Sequence, residues 1–176
     1  MIYEYLTDIS KASLAIWLVA LLTTATFRYL FTPYLSRKSS FEPVLFFTLV
    51  LAGLHVAWEI LLGSLFSNQE IKDLVRALWY LGFALSDWAL IFAALWAIKR
   101  FSLTRHYGTD TILVSYAIMG VLQITRYYDR YILETNALEY VYKNGIPAIN
   151  TIITFVVVWQ SVAICHGLLK STKEVS

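Results

Sequence analysis

The chain has 176 residues, of which 59% are hydrophobic and only 15% are charged, and its formal net charge is +2. An average globular domain carries about 25% charged residues, so this composition disfavours a soluble domain and indicates a membrane protein. A net charge this close to zero gives no reason to expect a nucleic-acid partner. We therefore predict one transmembrane domain over residues 1–176, in a cell or cytoplasmic membrane.

Five long apolar stretches fill most of the chain. A helix needs roughly 20 residues to cross a hydrocarbon core of about 30 Å, so each stretch is long enough for one span. The predicted fold is all-α, a polytopic bundle of five transmembrane helices surrounded by the lipid bilayer. The spans are predicted at Ala12 to Tyr34, Val44 to Phe66, Ala77 to Ile98, Thr111 to Tyr131 and Ile146 to Leu169.

Lysine and arginine are shared unevenly between the two sides of the predicted bundle. Cytoplasmic loops carry an excess of these residues, so the pattern places the N-terminus outside and the C-terminus in the cytoplasm. The basic side chains on the cytoplasmic side are also predicted contacts for a soluble protein partner or for anionic lipid. They are Arg37, Lys38, Lys99, Arg100 and Arg105.

Tyrosine and tryptophan crowd the outer edge of the predicted bundle. This pattern is typical of an interfacial aromatic belt, in which amphipathic rings lie at the level of the lipid headgroups. We therefore predict that these rings anchor the protein in the bilayer. They are Trp79, Tyr80, Tyr127, Tyr128, Tyr131, Tyr140 and Tyr142.

The third span carries a line of small side chains at helical spacing. Small residues let two helix backbones approach closely. The line is predicted to pack against another span of the same chain or against a second copy of the chain, and the sequence leaves both open. Its members are Gly82, Ser86, Ala89, Ala93 and Ala97.

Ionisable side chains interrupt three of the apolar stretches, at Glu59, Asp87 and Arg126. A charge at the bilayer centre costs about 2.5–3.5 kcal/mol even on the mildest insertion scale. Such residues are therefore usually paired, line water or carry a function. His55 lies one turn before Glu59, on the same helix face.

Helix rise converts sequence position into depth in the membrane. At about 1.5 Å per residue, Glu59 and Arg126 both stand roughly 22 Å from the cytoplasmic ends of their spans, so we predict that they pair. Asn150 is predicted to join them, and His55 reaches the level of Asp87 nearer the midplane. The sequence thus predicts an intramembrane polar column of His55, Asp87, Glu59, Arg126 and Asn150, with Asp129 and Arg130 at its outer mouth.

The members of this column also have purely structural interpretations. Arg126 and Arg130 can extend to the outer headgroups, in which case Asp129 pairs with one of them along the helix. A lone histidine such as His55 is more often a hydrogen-bonded core residue than a ligand or proton carrier. Asp87 and Glu59 favour a functional interpretation, because apolar turns flank both of them.

We predict no metal ion and no cofactor. His55 and Glu59 supply two ligands, but His106 and His166 are expected near the cytoplasmic face, too far away to complete a metal or haem site. The sequence has no phosphate-binding loop, serine nucleophile elbow, HExxH motif or paired cysteines. We therefore predict that the protein is not an enzyme, although Asp87 or Glu59 could act as an intramembrane acid or base.

Carboxylates with a histidine near mid-membrane are typical of proton and cation pathways. One chain with five spans has little room for a pore of its own, so we predict a homo-oligomer that forms an ion, proton or small-solute permeation unit. The alternative is a non-catalytic accessory, sensor or anchoring subunit. In that case the buried charges lock the bundle and the basic loops dock a soluble partner.

Overall fold

The computed structural model describes residues 2–31, 39–65 and 70–173. These residues form five α-helices, which confirms the all-α prediction. The helices are α1 (Ile2–Phe31), α2 (Phe41–Leu65), α3 (Lys72–Arg100), α4 (Tyr107–Tyr131) and α5 (Glu139–Lys173).

The helices extend beyond the predicted spans because an apolar run marks only the part of a helix that avoids water. The fifth span is predicted to open at Ile146, beside Pro147, but α5 begins at Glu139 and contains that proline. The first and second predicted spans end at residues outside the described part of the chain. Also outside it are two of the predicted basic contacts, Arg37 and Lys38.

Four of the helices, α1, α2, α3 and α5, are long and apolar enough to cross a membrane. Large apolar side chains are exposed on their outer faces, among them Leu54, Phe92 and Phe155. Extensive exposed apolar surface is typical of membrane contact and is rare on soluble monomers. These observations suggest a multi-pass membrane protein.

The five helices form a closed ring. Each helix packs against its neighbours along the chain, and α5 returns to pack against α1. At this last contact the hydroxyl oxygens of Ser13 and Thr154 are 2.8 Å apart, and the Trp17 indole donates to Thr154 at 3.0 Å. Inward-facing side chains from all five helices therefore meet.

An apolar core fills the end of the ring at which α2 and α4 begin. Phe41, Leu45 and Ile112 are fully buried there. At the same end the backbone N–H of Ser40 donates to the carbonyl of Thr104 at 3.1 Å. This bond ties the start of α2 to the segment that precedes α4.

The line of small residues on α3 is divided between internal contacts and exposed surface. Gly82 lies against the ring of Trp58 on α2, and Ser86 also contacts α2. Ala97 is buried, whereas Ala89 is exposed and Ala93 is half-buried. The line therefore packs partly within the chain and does not face a single neighbour.

Helices α3 and α4 meet where the ring of Trp88 covers Gly120. A Cβ atom at Gly120 would lie 2.5 Å from Trp88 Nε1. We expect Gly120→Ala to lower the free energy of unfolding by about 1–3 kcal/mol, because the indole ring must shift. Gly53→Ala is the control, since nothing lies within 4 Å of a Cβ atom there. Thermal unfolding in detergent compares the stability of the two variants. An equal loss of stability in Gly120→Ala and Gly53→Ala would contradict a tight contact between Trp88 and Gly120.

Candidate functional site

A cavity of about 430 Å³ lies inside the ring, at the end opposite the apolar core. Its volume is within the range of roughly 300–1,000 Å³ that small-molecule sites occupy. All five helices contribute to its wall. The lining residues are Ser13, Leu14, Trp17, Ala52, His55, Val56, Glu59, Trp79, Phe83, Tyr116, Met119, Gln123, Tyr142, Ile146 and Asn150.

The cavity opens on one side of the ring and is closed towards the core. Its exposed lining residues are Leu14, Val56 and Glu59, which belong to α1 and α2. Tyr116 and Met119 are buried and belong both to the cavity wall and to the apolar core. The opening therefore lies between α1 and α2, and these two α4 residues form part of the floor.

Polar groups enter the cavity from several helices. His55 and Glu59 project from one face of α2, because residues four apart on a helix lie on the same side. Asn150 reaches the wall from α5 and Gln123 from α4. The hydroxyl of Tyr142 donates to Gln123 Oε1 at 2.8 Å, which fixes that amide. Glu59 and Asn150 thus line one cavity.

Aromatic rings form much of the remaining wall. The ring centroids of His55 and Phe83 are 4.5 Å apart, and those of Trp79 and Phe83 are 5.1 Å apart. The face of an aromatic ring carries negative partial charge and attracts cations. Trp79 and Tyr142, which the sequence assigns to an interfacial belt, also lie in the wall of the cavity.

Asp87 lies behind His55, outside the wall of the cavity. Its side chain is 0% exposed, and Oδ1 is 3.7 Å from His55 Nε2. Among the described residues, neither carboxylate oxygen of Asp87 accepts a hydrogen bond. The structure therefore brings together His55 and Asp87, which the sequence places at one level, and leaves the carboxyl group with unused acceptor capacity.

The hydrogen bond with Ser86 favours the form of His55 in which Nε2 carries the proton. The Ser86 hydroxyl donates to the carbonyl of Phe83 at 2.8 Å, so its oxygen is left to accept from His55 Nε2, also at 2.8 Å. A donor Nε2 makes Nδ1 the acceptor nitrogen of a neutral imidazole. Ser86, predicted only as a packing residue, thus orients the histidine that separates Asp87 from the cavity.

Arg126 does not reach Glu59, so the predicted ion pair between them is wrong. Its Nη1 donates to Asp129 Oδ2 at 2.5 Å, and its Nη2 donates to Asn136 Oδ1 at 3.1 Å. Glu59 lies at the exposed opening of the cavity whereas Arg126 is buried against Asp129, so equal depth does not bring these two side chains together. A carboxylate one turn away on its own helix pairs with Arg126 instead.

Asp129, which the sequence places at the outer mouth of the polar column, is buried. Only 2% of its side chain is exposed. Its carboxylate accepts hydrogen bonds from Arg126, from the Thr135 hydroxyl and from the backbone N–H of Leu138. Asp129 therefore joins the end of α4 to the start of α5. Arg130 lies nearby and donates to Asn136 Oδ1 at 3.0 Å.

Three of the predicted cytoplasmic contacts belong to the described residues, and they lie at the opposite end of the bundle. Lys99 and Arg100 end α3 with exposed side chains. Arg105 forms an ion pair with Asp110 at 2.5 Å, so part of its charge is compensated within the chain. In the described part of the chain, no three or more His, Cys, Asp or Glu side chains are grouped to hold a metal ion.

Fold and site together define a bundle of several apolar helices, compatible with a membrane protein, that encloses a cavity of small-molecule size. Comparisons of the chain with protein-family models, with curated proteins and with solved structures found no match. Function is therefore inferred from the chemistry of the cavity.

Proposed function

We propose that this protein spans the membrane five times and binds a small amphipathic cation in its cavity as the first step of permeation. One observation carries the proposal: the helices of a single chain enclose about 430 Å³, with Glu59 at the opening and aromatic rings around the wall. A carboxylate and aromatic faces both favour a positively charged guest.

Helix α4 is proposed as the fifth span, although its composition does not place it with the four apolar helices. Its polar side chains Ser115, Gln123 and Arg126 are buried, whereas Val114 and Ile118 are exposed. The side of α4 that faces outward is therefore apolar, as contact with lipid requires. With the N-terminus outside and the C-terminus in the cytoplasm, the cavity lies in the outer half of the membrane.

The position of the opening supports entry from the bilayer. A solute that passes between α1 and α2 meets the apolar side chains of Leu14 and Val56, then the polar groups of Glu59, His55 and Asn150. An amphipathic molecule can make both kinds of contact. A hydrated metal ion would first have to give up its water shell at an apolar entrance, which costs far more.

This function does not need several copies of the chain. The homo-oligomer is predicted from the expectation that one chain has little room for a pore of its own, but one chain encloses this cavity and needs no second copy to form the binding site. We therefore propose the single chain as the binding unit. A homo-oligomer, and a soluble partner docked on Lys99 and Arg100, stay predictions.

Binding of phenyltrimethylammonium tests the proposal, with the neutral molecule tert-butylbenzene as a probe of nearly the same shape. We expect the wild-type protein in lipid nanodiscs to prefer the cation. Glu59→Gln should weaken binding of the cation at least about tenfold, equivalent to about 1.4 kcal/mol, and leave binding of the neutral probe unchanged. Isothermal titration calorimetry measures both affinities.

Glu42→Gln is the matched control for this experiment. Glu42 also belongs to α2 but lies at the opposite end of the helix, where it accepts from Arg28 Nε at 2.7 Å. It should not affect binding in the cavity. An equal loss of affinity for the cation in Glu59→Gln and Glu42→Gln would rule out the proposed cation site. Equal affinities of the wild-type protein for the charged and neutral probes would also rule it out.

The closed floor favours a second candidate, a proton-transfer enzyme that acts on a substrate dissolved in the bilayer. Tyr116 and Met119 separate the cavity from the apolar core. His55 faces the cavity with Asp87 behind it, an arrangement suited to an acid or base. Deuterium incorporation from heavy water into membrane lipids, seen with wild type and lost in Asp87→Asn, would favour this candidate over permeation.

A further inference from the structure

Two arginines line a separate site between the start of α3 and the end of α4. Arg76 and Arg130 belong to two pockets, of about 330 Å³ and about 290 Å³. The smaller pocket is lined by these arginines with Trp79 and Tyr80. We propose that Arg76 and Arg130 bind the phosphate group of a lipid headgroup.

The chain neutralises these two guanidinium groups only weakly. Arg130 donates to the neutral amide oxygen of Asn136, an oxygen that also accepts from Arg126. Arg76 Nη1 lies 3.5 Å from Asp73 Oδ1, and the Asp73 side chain is 82% exposed. Within the described residues, Arg130 forms no ion pair with a carboxylate. Positive charge therefore remains available for an anion.

The carboxylates near the site lie in the larger pocket. Asp73 and Glu134 line that pocket and are both exposed, so water screens their charge. The smaller pocket has no acidic side chain among its described lining residues. The phosphate is therefore assigned to the smaller pocket, between the two guanidinium groups.

A further hydrogen-bond donor is available next to the arginines. The Tyr131 hydroxyl is buried and has no hydrogen-bond partner among the described residues, and Tyr131 lines the larger pocket. Guanidinium groups bind two oxygens of a phosphate in parallel, and a phenol can donate to a third. The two arginines thus suit a phosphate in the smaller pocket, and Tyr131 lies beside it in the larger pocket, which the same arginines line.

The position of the site favours a lipid as the source of that phosphate. It lies where the apolar helix α3 begins, and the ends of spanning helices are where headgroups and Trp or Tyr rings meet. Trp79 lines both this pocket and the central cavity. A lipid held by Arg76 and Arg130 would therefore lie beside the cavity, whatever the cavity binds.

Native mass spectrometry of the full chain in detergent tests this site. Dioleoyl phosphatidic acid is compared with dioleoylglycerol, which has the same acyl chains and no phosphate. We expect wild type to bind the phosphate lipid at least about tenfold more tightly. Arg76→Gln should remove most of that preference, and Arg76→Gln with Arg130→Gln should remove all of it.

Arg28→Gln is the control for Arg76→Gln, because it removes one guanidinium group at the other end of the bundle that already pairs with Glu42, at 2.6 Å. This variant should keep the preference for phosphatidic acid. Displacement of the lipid by millimolar inorganic phosphate would support the site with free phosphate as its ligand, and resistance to displacement would support the headgroup. Equal binding of the two lipids by wild type, or an equal loss of the preference in Arg28→Gln and Arg76→Gln, would overturn the proposal.

Discussion

Asp129→Ala is expected to lower the melting temperature of the protein by on the order of 10 °C. The substitution leaves Arg126, which is 3% exposed, without the carboxylate that it contacts at 2.5 Å. The next carboxylate, on Glu139, lies 3.9 Å from Arg126 Nη2 and is also paired with Lys143. Thr135 and the N–H of Leu138 lose their acceptor as well. The junction between α4 and α5 should therefore open first on heating.

Asp110→Ala provides the comparison, at the other end of the same helix. Asp110 also pairs with an arginine, Arg105, but both side chains are exposed. Exposed ion pairs contribute little to stability, so this variant should melt close to wild type. Melting curves of both variants in one detergent measure the difference. A similar shift in the two variants would contradict the assignment of Asp129 as the buried anchor of the junction.

Asp87→Asn is expected to lower permeation of phenyltrimethylammonium at least about tenfold without lowering the melting temperature. Asp87 is the next acidic group beyond Glu59, behind His55, and its oxygens accept no hydrogen bond from the described residues. An amide of the same shape cannot ionise, so it never carries the cost of a buried charge and it cannot supply the negative charge that would attract a bound cation.

Asp73→Asn is the control for Asp87→Asn, since it makes the same chemical change at an exposed position on α3. It should alter neither permeation nor the melting temperature. Uptake into proteoliposomes and thermal unfolding are measured on the same preparations. A strong loss of stability in Asp87→Asn would show that Asp87 holds the bundle together and would remove the reason to give it a role in permeation.

The number of helices and their approximate positions could be predicted from the sequence, because each long apolar run marks the part of a helix that avoids water. The common level of His55 and Asp87 along the bundle could be predicted as well, since rise per residue is nearly constant, and the two residues do meet across α2 and α3. The direction in which each side chain points around its helix could not be predicted from the sequence. That direction depends on the order of the helices in the ring, which the apolar pattern of a single span does not contain.

The wrong prediction of an ion pair between Glu59 and Arg126 has this cause. Equal depth suggests that they pair, but Glu59 lines the cavity whereas Arg126 is buried against Asp129, as the alternative interpretation of Asp129 predicts. Asp129 is one turn from Arg126 on the same helix. An ion pair within one helix requires fewer groups to be held in place than an ion pair between two helices, so it costs less conformational entropy. The contribution of Asn136 could not be predicted, because it depends on how the chain turns between α4 and α5.

The cavity itself was missed, although one signal for it was present. Gln123 and Asn150 are amide side chains inside otherwise apolar stretches, and both line the cavity. Polar residues within a span usually face the interior of a bundle. With His55 and Glu59 they mark inward faces on three helices. The aromatic part of the wall gave no such signal, because rings such as Trp79 also suit a membrane interface.

The most direct test of the central claim is the uptake of radiolabelled phenyltrimethylammonium by proteoliposomes. Wild type, Glu59→Gln and protein-free vesicles of the same lipid composition are compared. We expect wild type to take up the cation faster than protein-free vesicles and Glu59→Gln to lose at least about nine-tenths of the added rate, a tenfold change. Folded wild-type protein that adds nothing to the uptake of protein-free vesicles would contradict permeation through this cavity.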